Sequence, residues 1–136
     1  MNKIIIYTDG GARGNPGPAA AGVVIKEGDA TLLEFGEYLG PVQTNNFAEY
    51  QAVILALEAL RREGHSGREL AFKMDSKLVV EQVSGNWKIK EPSLKPLVAK
   101  IRELLADFPR HTFTHIPRAE NYEADALVNQ ALDEQL

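Results

Sequence analysis

Four acidic side chains occupy settings that suit chemistry better than solvation: Asp9 in Thr8-Asp9-Gly10-Gly11, Glu49 in a helical stretch, Asp75 before Ser76, and Asp125 in Ala124-Asp125-Ala126. Clustered carboxylates repel and raise one another's pKa, so such a set persists best around divalent cations. A donor set made only of oxygen favours magnesium or manganese over zinc. Two such ions about 4 Å apart activate a water and stabilise the leaving oxygen of an in-line phosphodiester displacement. The chemistry implied is metal-assisted hydrolysis of a phosphate ester.

Each acid also has a plainer reading. At 100° per residue Glu49 points with Val53, Ala56 and Leu60, inside the apolar stripe of its helix. An unpaired carboxylate there costs several kcal/mol or gives up its charge, so it requires a cation, a hydrogen-bond network or water. The alternative is a first-turn glutamate on the helix dipole. Asp125 lies at the edge of a stripe formed by Ala124, Val128, Ala131 and Leu132, and an ordinary first-turn aspartate fits equally. Asp9 suits a turn, and Asp75 suits a helix cap.

The elements that must position these acids follow from hydrophobic period and turn residues. Residues 3–8, 21–26 and 31–39 read as strands, with Glu27-Gly28-Asp29 as a hairpin connection. Residues 45–62 change to a helical period, with apolar side chains at 52, 53, 56, 57 and 60 and Gly64 beyond the end. A strand over 69–74 leads to Ser76 as the cap of a helix reaching 83; helices over 93–106 and 121–132 flank a strand at 111–116. The order β-β-β-α-β-α-α-β-α predicts an α/β fold: a mixed five-stranded sheet, with a three-strand antiparallel meander plus parallel strands and helices on both faces. Ligands collect at the carboxyl ends of parallel strands, where Asp9 and Asp75 are expected.

With 136 residues, 44% of them apolar, the chain is expected to form a single domain over 1–136. It has no cysteine, and its three histidines, His65, His111 and His115, lack metal-ligand spacing. The apolar run at the N-terminus is too short for a signal peptide or membrane span, so a cytoplasmic protein away from membranes is expected; a monomer is expected as well. A net charge of −4 provides no global attraction to nucleic acid, although Lys88, Lys90 and Lys95 are local bases that could meet phosphates.

Tyr7-Thr8-Asp9-Gly10-Gly11, Thr44-Asn45-Asn46-Phe47-Ala48-Glu49, Met74-Asp75-Ser76 and Asn121-Tyr122-Glu123-Ala124-Asp125-Ala126-Leu127 together resemble the type 1 ribonuclease H family. All four motifs occur in the family's order and span essentially the whole chain. The resemblance implies a ribonuclease H-like fold and an endonuclease that cuts the RNA strand of an RNA/DNA hybrid. Asp9, Glu49, Asp75 and Asp125 would hold two Mg2+ ions, with Mn2+ able to substitute and no organic cofactor, and the products would carry 3′-hydroxyl and 5′-phosphate ends. It further implies that Asn15, Asn45, Asn46 and backbone groups near Gly11 and Ser76 face the RNA minor groove, where 2′-hydroxyls distinguish RNA from DNA. Gly10 and Gly11 permit close backbone approach, and helix capping is the plainer reading of Asn45 and Asn46. Thr44 resembles a residue that anchors a DNA-strand phosphate.

The sequence departs from the family pattern in three places. Val42 stands where an arginine often accompanies the phosphate-anchoring threonine. The histidine that many members carry on a flexible loop before the last aspartate is missing, since His115 falls in the predicted strand; Arg118 is the nearest substitute as a charge donor, or else a solvated arginine near a helix end. The basic, tryptophan-bearing insertion of some members is reduced to Trp87, Lys88 and Lys90, with Trp87 either packing on a deoxyribose or closing the core, and binding is expected to be weak and salt-sensitive. Two other functions fit the same residues: cleavage of double-stranded RNA or a DNA junction, and a non-catalytic nucleic-acid binding module.

Overall fold

The computed structural model describes residues 2–135. Five strands, β1 (Ile4–Ala12), β2 (Gly17–Glu27), β3 (Ala30–Gln43), β4 (Leu70–Met74) and β5 (His111–His115), form one sheet in the order β3-β2-β1-β4-β5. β1, β2 and β3 pair antiparallel, whereas β4 runs parallel to β1 and β5 parallel to β4. The predicted mixed sheet is therefore the observed one.

Four helices cover it: α1 (Asn45–Arg62), α2 (Lys77–Val83), α3 (Lys95–Leu105) and α4 (Tyr122–Asp133). Val53, Leu57 and Leu60 of α1 join Ile4, Ile6, Phe72, Val79, Val98 and Ile101 in the main core. α4 covers the opposite face, where Val128, Ala131 and Leu132 enclose Ala20 in a smaller cluster. The boundaries of α1 agree with the predicted ones because its period of 3.6 is unbroken and both ends carry local signals. Thr44 caps the start by accepting from the Phe47 amide at 3.1 Å, and Gly64, at φ +82°, follows the end.

The strands run further than the residue types suggested. Asp9-Gly10-Gly11 is not a turn closing β1; these residues stay in the ladder opposite Gly22, Ala21 and Ala20. Glycine weakens a strand but keeps its backbone donors and acceptors, and pairing on β2 overrides the local preference. β2 accordingly starts at Gly17, and β3 reaches Gln43. The helix expected over 93–106 is a 3₁₀ turn (Pro92–Leu94) leading into α3, and a second 3₁₀ turn (Arg118–Asn121) precedes α4.

Candidate functional site

The parallel register explains why two of the acids meet. Tyr7 lies opposite Lys73, and continuing that register by two residues sets Asp9 beside Asp75, just past the last pair of the β1–β4 ladder. Asp75 is not the helix cap; that position belongs to Ser76, whose hydroxyl accepts from the Val79 amide at 3.3 Å. Its carboxylate is thus not consumed by local structure.

Glu49 arrives through a close helix crossing. A Cβ on Gly10 would lie 2.2 Å from the carbonyl carbon of Ala48 and 2.4 Å from the Glu49 nitrogen, so only glycine lets α1 pass there. The close approach expected of Gly10 is therefore to α1. Glu49 follows the first turn of α1, which holds no acid, so the helix dipole does not account for it. One carboxylate oxygen each from Asp9, Glu49 and Asp75 lies within 4.8 Å of the others.

Asp125 comes from the opposite face. Asp9 pairs with Gly22 of β2, and Gly22 with Gly36 of β3; a Cβ on either glycine would strike α4, at 2.2 Å from the Ala124 oxygen and 2.5 Å from the Leu127 oxygen. These two glycines draw the first turns of α4 onto the strands beside Asp9. Asp125 lines the same cleft of about 550 Å³ but stands outside the three-acid group. Its Oδ1 accepts from Arg118 Nη2 at 3.5 Å, and its Oδ2 from Asn129 Nδ2 at 3.4 Å.

The electrostatics are those of acids held together without compensation. Burial, then the charge of Asp75 and a hydrogen bond with Asp125, push the Asp9 carboxyl from 3.8 to about 7. Glu49, partly buried, is raised well above its ordinary value by loss of water and then by Asp9 and Asp75, against which the Gly10 amide acts only partly. The lining arginines do not relieve them: Arg13 pairs with Asp133 at 2.7 Å, and Arg118 pairs with Asp125. All-oxygen donors at this spacing fit a hard divalent cation.

The other predicted residues surround this centre. Gly11, Asn45, Asn46 and Ser76 line the cleft. Asn15 stands outside the lining; its side-chain oxygen accepts from the Asn45 amide at 3.0 Å, while Asn45 Oδ1 accepts from the Ala12 amide at 2.8 Å, so the pair ties the β1–β2 loop to α1. Neither Asn45 nor Asn46 caps α1, because Thr44 does. Arg118 is 79% exposed on the 3₁₀ turn before α4, and His115 lies in β5. Trp87, 45% exposed, does not close the core; it lines a second groove of about 540 Å³ that shares Asn46 with the first, and Lys77 Nζ sits 6.0 Å from its ring centroid. Val42 is exposed near the end of β3.

Sequence reasoning missed Arg13 and Asn129 in the lining and the close approaches at Gly22 and Gly36. An isolated glycine within a strand is itself the signal of such an approach.

A family model described as reverse transcriptase-like matches residues 7–131. A ribonuclease HI of Halobacterium salinarum is 46% identical over 133 residues, covering 97% of this chain and 65% of that protein. A ribonuclease H of Alcanivorax borkumensis is 36% identical, covering 98% of this chain and 94% of that one. The chain spans only about two thirds of the Halobacterium relative and 36% of the mycobacterial proteins it matches. Among solved structures, LC11-RNase H1, isolated from compost by a metagenomic approach, is 51% identical with a TM-score of 0.93, covering 99% of both chains. The same protein in complex with an RNA/DNA hybrid matches at 50% identity and a TM-score of 0.93, covering 98% of this chain and 99% of that one.

Proposed function

Because the chain belongs to the ribonuclease H family, we propose that it is a metal-dependent endonuclease hydrolysing the RNA strand of RNA/DNA hybrids, leaving 3′-hydroxyl and 5′-phosphate ends. The observation that carries this reading is the group of three carboxylates within 4.8 Å just past the carboxyl end of the β1–β4 ladder, with Asp125 on the same cleft. Raised carboxyl pKa values at Asp9 and Glu49 support it, since a divalent cation would restore their charged forms.

Asp9, Glu49, Asp75 and Asp125 would hold two Mg2+ or Mn2+ ions. When bound, the ions supply activation of the attacking water and stabilisation of the leaving oxygen. Amide and backbone groups of Gly11, Asn45, Asn46 and Ser76, which line the cleft, and of Asn15, which is hydrogen-bonded to Asn45, contact ribose 2′-hydroxyls. Thr44 contacts a phosphate of the DNA strand while capping α1. Trp87 presents its half-exposed face to the same strand, with Lys88 and Lys90 beside it in the second groove. Arg118, held near Asp125 on an exposed turn, donates to the scissile phosphate or to the released product.

A cleavage panel tests this. Labelled RNA/DNA hybrid, double-stranded RNA and double-stranded DNA are each incubated with Mg2+, with Mn2+ and with chelator. Cutting of the RNA strand of the hybrid only when metal is present is expected, and Asp9→Asn should abolish it. Metal-independent cutting, or preference for another duplex, would overturn the assignment.

A further inference from the structure

Asn121 occupies the cap position of α4 yet does not cap it: its side chain makes no bond to the helix's own amides. A capping asparagine is worth about 1 kcal/mol to a helix, so this chain forgoes a local stabilisation that the residue type offers. The amide points elsewhere. Asn121 Nδ2 donates to the Thr8 carbonyl at 2.8 Å, and the residue is 1% exposed. Asn121 Oδ1 and Thr8 Oγ1 are both buried without a partner among the described residues. Buried unpaired polar atoms cost free energy and are uncommon, so their presence in two hydrogen-bonded residues calls for a cause.

The cause lies in where this bond is placed. The β1–β4 ladder ends at Tyr7–Lys73, and Thr8 is the first residue of β1 beyond it. The 3₁₀ turn that ends in Asn121 touches both β1 and β4 at this point, and the Ile116 amide donates to the Met74 carbonyl at 2.9 Å just upstream. Asn121 therefore stands where the two strands part, immediately before Asp9 and Asp75, and it begins the helix that carries Asp125 one turn later. A single side chain ties the strand of Asp9 to the helix of Asp125.

We propose that Asn121 is a positioning residue, whose bond to the Thr8 carbonyl sets the separation of Asp125 from Asp9 and so the affinity of the carboxylate cluster for divalent cations. This rests on the metal-dependent reading above. Residues that orient metal ligands without touching the metal typically change affinity 10- to 100-fold when replaced.

The test uses Asn121→Ala and Asn121→Ser. Serine is a good helix cap but too short to bridge to Thr8, so it protects α4 while still removing the tie. Mn2+ affinity is measured without substrate, from the spin-resonance signal of the free ion, together with the Mg2+ dependence of hybrid cleavage. For Asn121→Ser we expect Mn2+ binding weakened about tenfold or more, a matching rise in half-saturating Mg2+, and an unchanged KM for hybrid at saturating metal. A merely structural role would lower the melting temperature and the active fraction and leave the metal affinity of the folded protein where it was. Folded Asn121→Ser that binds Mn2+ within about twofold of the parent overturns the proposal while leaving the nuclease assignment intact. A parent protein that binds no Mn2+ overturns both.

Discussion

Asp9→Asn separates the charge at the centre of the site from its shape. Asp9 is 6% exposed, and burial followed by the charge of Asp75 moves its carboxyl from 3.8 to about 7. The folded protein thus holds this proton more tightly than the unfolded chain does. The stability this represents is fully present below about pH 4 and is lost as pH rises through about 7. At 1.36 kcal/mol per pH unit, the span from 3.8 to about 7 corresponds to a loss on the order of 4 kcal/mol. Asparagine has nearly the same volume and no charge to desolvate. Metal-free Asp9→Asn should therefore be more stable than the parent above neutrality by up to about 4 kcal/mol, or roughly 12 °C for a domain of this size, and the gap should close near pH 4. Thermal unfolding followed by circular dichroism in chelator across this pH range measures it. Added Mg2+ should raise the parent's melting temperature and narrow the gap, because a ligand that binds only the folded state stabilises it. If the variant is no more stable than the parent in chelator at high pH, or if a gap persists unchanged into acid, Asp9 is not an uncompensated buried charge and the argument for a cation fails.

Arg118→Ala removes the exposed cation beside Asp125 and is expected to lower kcat for hybrid about tenfold, the worth of one charge-assisted hydrogen bond; an unchanged kcat would return Arg118 to a solvated surface role. Gly22→Ala places a methyl group 2.2 Å from the Ala124 oxygen, so urea unfolding should show a loss of about 1–3 kcal/mol or more. Gly11→Ala, whose new atom would sit 3.8 Å from Val128, serves as its comparison and should cost less. Trp87→Ala should raise KM for hybrid and leave the unfolding midpoint nearly unmoved, since the side chain is half exposed; a large drop in midpoint would show instead that it packs the fold. Gln82→Leu leaves the buried Tyr50 hydroxyl without the acceptor it donates to, and a destabilisation of about 1–3 kcal/mol is expected in the same unfolding assay.

Period and local chemistry make much of the architecture legible in the sequence. The bounds of α1 and the cap at Ser76 can be read from spacing, because each depends on residues within a few positions of one another, and the meander followed by parallel strands follows from the order of the elements. The placement of Glu49 on an apolar stripe belongs to the same class, since a helix converts sequence separation directly into direction. Strand ends were less legible: Gly10 and Gly11 look like a turn, and only their pairing with β2 keeps them extended. The cap of α1 was likewise decided by Thr44 rather than by the asparagines that follow it.

What no local pattern could decide is which acids meet. Asp9 and Asp75 are 66 residues apart and become neighbours through the register of a parallel ladder, while Glu49 and Asp125 reach the cleft from opposite faces. Their approach depends on missing side chains, at Gly10 under α1 and at Gly22 and Gly36 under α4, and on one buried amide at Asn121. The sequence alone determined the types of the four acids and the elements that carry them. Their distances, the burial that raises the Asp9 carboxyl, and the approach of Asp125 to Asp9 alone among the three were decided by packing, because those quantities are set by how closely backbones can approach.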